Sequence, residues 1–295
     1  MSVKTVQDAW MLYKDTTLYS LKKGGQVTEK GRWNNYIAPV LGEVKIHELT
    51  KFDYLKLKKS LEKKELSPQT IHHALSLLRR MLNNAVEWGE YQGEIPNFKK
   101  ILPKFDNKRL RFLSNEEARK LFFCLEPHKE WYDISMFALN TGLRRGELFS
   151  LSVSNVNFHE RLVYIVDTKT NKNRVVPLND TAFEILHKKN KVKQQSNQIF
   201  HNRSPKTFNR AVEKSGINSG VLDARQKVVF HTLRHTFASW LVQMGTPINV
   251  VSYLLGHTTI NMTMRYAHID SAQAKKGINL LKFRLCPEGI WTAKS

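Results

Sequence analysis

Residues 231–241 read HTLRHTFASWL and combine a core helix with a cluster of basic side chains. The apolar residues recur at helical spacing and predict one buried stripe, made of Leu233, Phe237, Trp240, Leu241 and, just beyond, Met244. At about 100° per residue, His231, Arg234 and His235 fall on the other side of this helix. Two imidazoles and a guanidinium therefore crowd the first turn of a helix that its apolar stripe anchors in a core.

The length and composition around this stretch indicate a globular chain with more than one core. The chain has 295 residues, and single cores rarely grow that large, so we expect two domains. Hydrophobic residues make up 41% of the sequence, but no apolar run approaches the ~18 residues of a membrane span. No secretory signal is evident at the N-terminus. Cys124 and Cys286 match no metal or redox spacing, so we expect reduced thiols in a cytoplasmic protein.

The charge of the chain points to a polyanionic partner. Lys and Arg number 47 against 26 acidic residues, a net charge of +21. Cations gain affinity for polyphosphates because each neutralised phosphate releases condensed counterions. An anionic membrane would also attract this charge, but no basic amphipathic helix with an aromatic apolar face stands out. Nucleic acid is therefore the favoured partner, and no membrane association is expected.

The first third of the chain predicts helices only. Four segments between residues 1 and 94 carry helical apolar spacing, which indicates a small helical bundle. The last of them starts with Ser67 as N-cap and Pro68 at the first helical position. Its predicted stripe consists of Ile71, Leu75, Leu78, Leu82 and Val86. Residues 95–112 hold two prolines and six basic residues, which indicates a basic interdomain linker that follows a nucleic-acid backbone.

Residues 113–270 predict a second domain that is mainly helical with one small sheet, so the fold class is α+β. Ser114 and Glu117 form a capping box where its first helix begins. A β-hairpin is predicted over 161–178, where two β-branched runs flank the turn sequence TKTNKN. Further helices are expected at 179–190 and 204–215, and another starts at Thr246–Pro247. Residues 271–295 form a C-terminal tail.

Each polar motif of the second domain, taken singly, has a structural explanation. Arg144 and Glu147 at i,i+3 would ordinarily be a surface ion pair. Cations at a hairpin tip are usually solvated, and Tyr266 could be a core tyrosine with a bonded hydroxyl. The i,i+4 histidines resemble half of a zinc helix, but Thr232 stands where a metalloprotease needs glutamate. No metal site is therefore predicted.

Taken together, these residues form a complete set for phosphoryl transfer from DNA. In chain order they are Arg144, a hairpin lysine, His231, Arg234, His257 and, nine residues later, Tyr266. Two guanidiniums can bind the non-bridging oxygens of a phosphate bidentately, and tyrosine can act as a covalent nucleophile. Imidazole and ammonium groups can move protons. Without a metal, the cations would supply the charge stabilisation.

This pattern resembles the tyrosine recombinase family of the phage integrase type. The family pattern is an arginine in a TG-x-R context, a hairpin lysine, H-x-x-R, an LGH histidine and a tyrosine nine residues on. This sequence has TGLRRGE, TKTNKNR, HTLRH, LLGH and RYAH in that order. The resemblance covers residues from about 110 to 270, and the helical first domain looks like the family's core-binding domain by pattern only. It implies a two-domain clamp around DNA and no cofactor.

The resemblance also implies roles for the matching residues. Tyr266 would attack the scissile phosphate and hold a 3′-phosphotyrosine, which frees a 5′-hydroxyl. Arg144 and Arg234 would neutralise the pentacoordinate transition state. His231 would take the tyrosine proton, and His257 would donate to a phosphate oxygen.

Three further residues complete the predicted site. Lys169 would protonate the leaving 5′-oxygen, and it is preferred to Lys172 because the family's lysine opens the hairpin tip. Glu147 would orient Arg144 or the histidine region. His235 is expected to be a buried, hydrogen-bonded support, with catalysis there the less favoured alternative.

The expected function is site-specific DNA recombination or integration by a homo-oligomer, a tetramer on synapsed duplex DNA. A DNA-bending accessory protein would be a further partner, and the host of a phage or mobile element would contain the protein in its cytoplasm, at the nucleoid. The tail is expected to dock on a neighbouring protomer, since Ile278, Leu281 and Leu285 have helical spacing; packing on its own domain is the alternative. A type IB topoisomerase would use the same chemistry. A non-catalytic regulator would use a recognition helix at about 260–268, but it would not need this residue set.

Overall fold

The computed structural model describes residues 3–98, 100–105, 111–166, 173–191 and 197–267. The chain divides into two units, residues 1–107 and 108–295. Helices dominate both units, and the described residues contain one small antiparallel sheet, which lies in the second unit. The predicted class, mainly α with a small sheet in the C-terminal domain, is confirmed. Within the described residues, no helix combines the length and apolarity that a bilayer crossing needs.

The described part of the first unit is a helical bundle. Its helices are α1 (Val6–Thr16), α2 (Lys23–Arg32), α3 (Ala38–Leu41), α4 (Lys51–Lys63) and α5 (Pro68–Glu87). A π-helical turn over Trp33–Ile37 joins α2 to α3. Pro39 has no backbone N–H to donate to the Asn35 carbonyl four residues earlier, and Lys64 Nζ donates to that carbonyl at 3.2 Å.

Helix α5 provides much of this unit's core. Ser67 Oγ accepts from the Thr70 N–H at 3.2 Å and Pro68 opens the helix, as predicted. The predicted stripe is buried at four positions, Ile71, Leu75, Leu78 and Leu82, which are at most 3% exposed. Val86 is 41% exposed, so the prediction that the buried stripe reaches it is wrong; on this last turn of α5 the neighbouring Ala85 is the buried residue.

Part of the predicted basic linker packs against the first unit. Phe98 is 2% exposed and stacks on the Tyr54 ring, with the ring centroids 3.8 Å apart. Ile95, Ile101 and Leu102 lie against the same core. These four residues therefore contribute to the core of the helical bundle. The predicted limits of the domain and of the linker remain predictions.

The described part of the second unit packs helices around one small sheet. Its helices are α6 (Asn115–Leu125), α7 (Lys129–Thr141), α8 (Arg145–Ser150), α9 (Asp180–Lys191), α10 (Lys206–Lys214), α11 (Thr232–Gln243), α12 (Ile248–Leu255) and α13 (Asn261–Met264). Ser114 Oγ and the Glu117 carboxylate form the predicted capping box at the start of α6. Trp131 on α7 is 1% exposed, and the rings of Phe149 and Phe230 meet it edge to face.

The sheet contains the predicted hairpin and one further strand. Strand β2 (Leu162–Ile165) pairs antiparallel with β3 (Arg174–Pro177), with Val163 opposite Val176. Strand β1 (Val156–Asn157) pairs with β2 and was not predicted, because two residues are too short for a periodic signal. The hairpin tip, residues 167–172, lies outside the described residues, and it includes Lys169 and Lys172.

Helix α11 is more deeply buried on its polar side than along most of its predicted apolar stripe. Leu233 is fully buried, but Phe237, Trp240 and Leu241 are only half-buried. Arg234 and His235, by contrast, are 3% and 7% exposed. Met244 is 78% exposed, so the prediction that the stripe reaches it is wrong: α11 ends at Gln243. Arg234 and His235, on the first turn of α11, therefore pack inside the second unit. Their contacts locate the candidate site.

Candidate active site

The C-terminal end of α12 gathers three arginines from distant parts of the chain. The contacts are Arg174 Nε to the Leu254 carbonyl at 2.9 Å, Arg234 Nη2 to the Leu255 carbonyl at 2.6 Å and Arg144 Nη2 to the Gly256 carbonyl at 2.9 Å. The last carbonyls of a helix have no intrahelical donor and carry partial negative charge. The backbone carbonyls at the end of α12 therefore bind three guanidiniums together, so each arginine does not need a carboxylate partner of its own.

Gly256 ends α12 in a conformation that few other residues adopt. Its φ of 61° and ψ of 47° are left-handed, which glycine adopts without steric cost. A Cβ at this position would lie 2.7 Å from Arg174 Nη1. The glycine of the LGH motif thus lets Arg174 lie against the turn that carries His257.

The predicted Arg144–Glu147 pair is present at the start of α8, and it is shared with a second arginine. Glu147 accepts from the Arg144 N–H at 2.9 Å and from Arg144 Nη1 at 2.8 Å. Arg174 donates to both carboxylate oxygens, at 3.1 and 2.8 Å. Burial raises the pKa of Glu147, but the hydrogen bonds and charges of Arg174 and Arg144 outweigh it and lower the pKa to about 2.

Arg174 is the member of this cluster that the sequence analysis missed. It follows two lysines at a hairpin tip, where cations are usually solvated, yet its side chain is 2% exposed. The signal was the alternation along β3, where Arg174 and Val176 share the buried face and Val175 lies between them.

Arg234 is held by two backbone carbonyls from different segments. Helix α7 ends at Gly142, whose φ of 63° is left-handed, and the Gly142 carbonyl accepts from Arg234 Nη1 at 2.7 Å. A Cβ on Gly142 would lie 2.3 Å from the Phe237 ring. Burial, with the nearby charge of Arg144, lowers the pKa of Arg234 to about 9, so it remains a cation at neutral pH.

His257 lies directly after Gly256 and is fixed by a buried hydroxyl. Its Nδ1 is 2.7 Å from Thr263 Oγ1, and Thr263 is fully buried. Burial and the charges of Arg234 and Arg144 lower the pKa of His257 to about 4, so the ring is neutral at neutral pH. A Thr263 hydroxyl that donates to Nδ1 leaves the ring proton on Nε2, which can then donate to an anion.

Tyr266 is 5% exposed and packs with Ala238, Val251 and Leu255. Its hydroxyl lies 2.5 Å from His235 Nδ1. Burial raises the pKa of Tyr266 in spite of the nearby charges of Arg265 and Arg234, so the phenol is protonated at neutral pH. A nucleophilic role for this phenol therefore requires a group that takes its proton.

His231 precedes α11 and lies at the surface. The residue is exposed, and its ring meets the His235 ring edge to face, with the centroids 4.8 Å apart. The two imidazoles are thus neighbours in different environments, one at the surface and one buried against the phenol.

The structure brings together most of the predicted site. The residues joined by these contacts are Arg144, Glu147, His231, Arg234, His235, His257 and Tyr266. Lys169 lies outside the described residues. In the part of the chain that is described, no three His, Cys, Asp or Glu side chains are arranged as metal ligands. Three guanidiniums against one carboxylate, beside a phenol and imidazoles, can stabilise an anion that a tyrosine attacks.

Comparison with known proteins agrees with this chemistry. Residues 111–273, more than half of the chain, match the model of the phage integrase family. The integrase of Salmonella phage P22 is 34% identical over 66% of this chain, and that of Escherichia phage 186 is 32% identical over 74%. The matches cover 52% and 61% of those two proteins, so the chain spans only part of their length. A tyrosine recombinase of Pseudothermotoga lettingae is 30% identical over 78% of this chain and 80% of its own length.

Solved structures share the fold at low identity. The Tn1549 transposon integrase in complex with transposon right end DNA has a TM-score of 0.76 at 18% identity, covering 94% of this chain and 99% of that one. A lambda integrase dimer bound to a COC′ core site has a TM-score of 0.70 at 18% identity, covering 88% and 75%. The family match and the identity to the curated relatives show that the chain belongs to the phage integrase family of tyrosine recombinases.

Proposed function

We propose that this protein is a site-specific DNA recombinase that cuts and rejoins strands through a covalent 3′-phosphotyrosine at Tyr266. The observation that supports this best is the gathering of Arg144, Arg174 and Arg234 on the end of α12, in the same cluster as the Tyr266 phenol. Charge stabilisation and nucleophile are the two components that metal-independent phosphoryl transfer requires.

Arg144 and Arg234 neutralise the transition state in this proposal. Each guanidinium has five N–H groups, so its bonds to carbonyls leave donors for phosphate oxygens. The Arg144 side chain is 25% exposed, which gives a DNA phosphate access to it. Glu147 holds Arg144 in place, and the neutral His257 donates a further hydrogen bond to the phosphate.

Lys169 protonates the leaving 5′-oxygen, with Lys172 as the alternative in the same turn. The phosphotyrosine bond stores the energy of the broken phosphodiester, so rejoining needs no high-energy cofactor. The family assigns the phenolic proton to the histidine that corresponds to His231, and His235 has a supporting role in that scheme.

The partners we propose follow from charge and from the relatives. The net charge of +21 suits duplex DNA, and the two solved relatives described above were determined with DNA. We propose that the two domains clamp the duplex, that a homotetramer assembles on synapsed sites with or without a DNA-bending protein, and that residues 271–295 dock on a neighbouring protomer. Such a complex would act at the nucleoid, in the cytoplasm of a cell that hosts the element.

Covalent trapping tests the proposal. In the first step, duplexes that bind the Tyr266→Phe protein are isolated from a library of random sequences. In the second step, the wild-type protein is incubated with these duplexes after a 5′-bridging phosphorothiolate has been placed at each position in turn. We expect a denaturation-resistant complex with wild type and none with Tyr266→Phe. Tyr253→Phe is the matched control, because Tyr253 is 55% exposed on the adjacent helix, and it should trap DNA like wild type.

The product separates the remaining alternatives. Exchange of flanking DNA between two duplexes supports a recombinase, and relaxation of supercoils without exchange supports a type IB topoisomerase. Sequence-specific binding without a covalent complex would support the third alternative, a non-catalytic DNA-binding regulator.

A further inference from the structure

The hydroxyl of Tyr266 and the imidazole of His235 form a short polar contact in the site. His235 Nδ1 lies 2.5 Å from the Tyr266 hydroxyl oxygen, which is hydrogen-bond distance. In the tautomer that carries its proton on Nε2, Nδ1 accepts from the phenol. The two residues are 7% and 5% exposed. Water therefore has little access to this hydrogen bond, and a proton leaving the phenol has His235 beside it.

The fold fixes His235 in this position. It lies on the first turn of α11, whose start is tied down because Thr236 Oγ1 accepts from the Leu113 N–H at 2.9 Å and donates to the Thr232 carbonyl at 2.8 Å. Arg234, the preceding residue, is bound to the Gly142 and Leu255 carbonyls. An imidazole on a helix that is anchored on two sides presents Nδ1 to the phenol with little freedom to move away.

His231 occupies a different environment, although it lies one helical turn earlier. It is exposed at the start of α11, and its ring packs edge to face on His235. An exposed imidazole at the N-terminal end of a helix is accessible to a DNA phosphate, whereas His235 is in contact with the reacting oxygen itself.

We infer that His235 is a catalytic residue, and that it, not His231, receives the proton of Tyr266 when the phenol attacks DNA. This inference rests on the proposed function. The proton moves from Tyr266 Oη to His235 Nδ1 while the Oη electron pair forms the bond to phosphorus. The bond from phosphorus to the 5′-oxygen breaks, and that oxygen takes its proton from the hairpin acid. In rejoining, the 5′-hydroxyl attacks phosphorus and gives its proton back to the hairpin residue, while the phosphorus–Oη bond breaks and His235 returns its proton to Oη.

The test compares the same substitution at both histidines. His235→Asn places an amide oxygen near the position of Nδ1, so it can still accept a hydrogen bond from the phenol but has no basicity. His231→Asn is the matched control on the same helix. Every variant is assayed with the 5′-bridging phosphorothiolate duplexes, whose sulfur leaves without protonation, so the rate of covalent complex formation reports the attack of Tyr266.

We expect His235→Asn to lower this rate by about 10²-fold or more, the scale of general base catalysis, with duplex binding unchanged. Replacing Tyr266 by 3,5-difluorotyrosine makes the phenol more acidic and less dependent on a base. The fluorinated residue should therefore raise the rate of covalent complex formation of His235→Asn at least about tenfold, and it should change the rate of His231→Asn little.

Three results would overturn the inference. A His235→Asn rate within about threefold of wild type would mean that His235 is not the acceptor. A large loss that difluorotyrosine does not restore would make His235 a positioning residue, and restoration in His231→Asn alone would assign the proton to His231. Failure of the wild-type protein to form any covalent complex would instead refute the proposed function, so the two failures are distinguishable.

Discussion

Replacement of Arg174 by methionine tests the electrostatics of the site most directly. Arg174→Met keeps much of the side-chain volume and removes the charge together with its hydrogen bonds. The variant loses both contacts to Glu147 and leaves the Leu254 carbonyl without the Arg174 donor. Arg144 then faces the Glu147 carboxylate alone.

The structure gives the size of the expected loss. Removing one partner of a buried ion pair typically costs about 3–5 kcal/mol, because the other charge stays buried. Glu147 keeps its two bonds from Arg144, so we expect the lower end, about 3 kcal/mol of unfolding free energy. That loss corresponds to a factor of roughly 10² in the unfolding equilibrium.

Native-state hydrogen exchange measures this loss within the second unit. The amides of α7 lie in its core and report the opening of that unit, independently of the first. Lys188→Met is the matched control: it removes one cation from the same unit, but the Lys188–Glu184 pair is 75% and 66% exposed. We expect that control to change stability by about 0.5 kcal/mol or less.

Similar losses of unfolding free energy in Arg174→Met and Lys188→Met would show that the buried ion pair does not stabilise the second unit. A double variant, Arg174→Met with Glu147→Gln, that loses the full sum of the two single losses would show that the two residues are not coupled. Because the double variant removes both charges, we expect it to fall short of that sum by about 1 kcal/mol or more.

The remaining predictions concern a turn, a carboxylate and the hairpin. Gly142→Ala places a Cβ at a left-handed φ and 2.3 Å from a carbon of the Phe237 ring, so urea unfolding should show a loss of about 2–4 kcal/mol of unfolding free energy. Gly146→Ala is the control: it lies inside α8 with nothing within 4 Å of the new Cβ, and it should leave the stability unchanged or raise it. The pKa of Glu147 is lower in the folded state than its unfolded value of 4.5, so the ionised carboxylate stabilises the fold by about 3 kcal/mol above that value. This unfolding free energy should be lost as the pH falls from about 5 to 2. A Glu147→Gln protein that loses as much unfolding free energy over the same pH range would contradict the prediction. Lys169→Ala should cleave normal DNA poorly and recover on the 5′-bridging phosphorothiolate; recovery of Lys172→Ala instead would make that residue the acid.

Periodicity and local chemistry determined much of this protein. Four of the five stripe positions of α5, the cap at Ser67, the capping box at Ser114 and the pairing of β2 with β3 all follow from neighbours close in sequence, and the structure contains each of them. The motifs also predicted most of the polar residues that meet in the second unit, but they missed Arg174, and Lys169 lies outside the described residues. Local patterns succeed here because caps, turns and amphipathic faces depend on short separations along the chain.

Tertiary structure decided how the site is held together. Arg174 and Leu254 are separated by 80 residues, and Arg144 and Gly256 by 112, so no local pattern predicts that α12 ends among three arginines. The pairing of His235 with Tyr266 is of the same kind, because a helical wheel places His235 opposite the stripe but cannot show what covers it. A buried cation depends on carbonyls and carboxylates that only the folded chain brings within hydrogen-bond distance. The same folding determines that His235 is the imidazole in contact with the Tyr266 phenol.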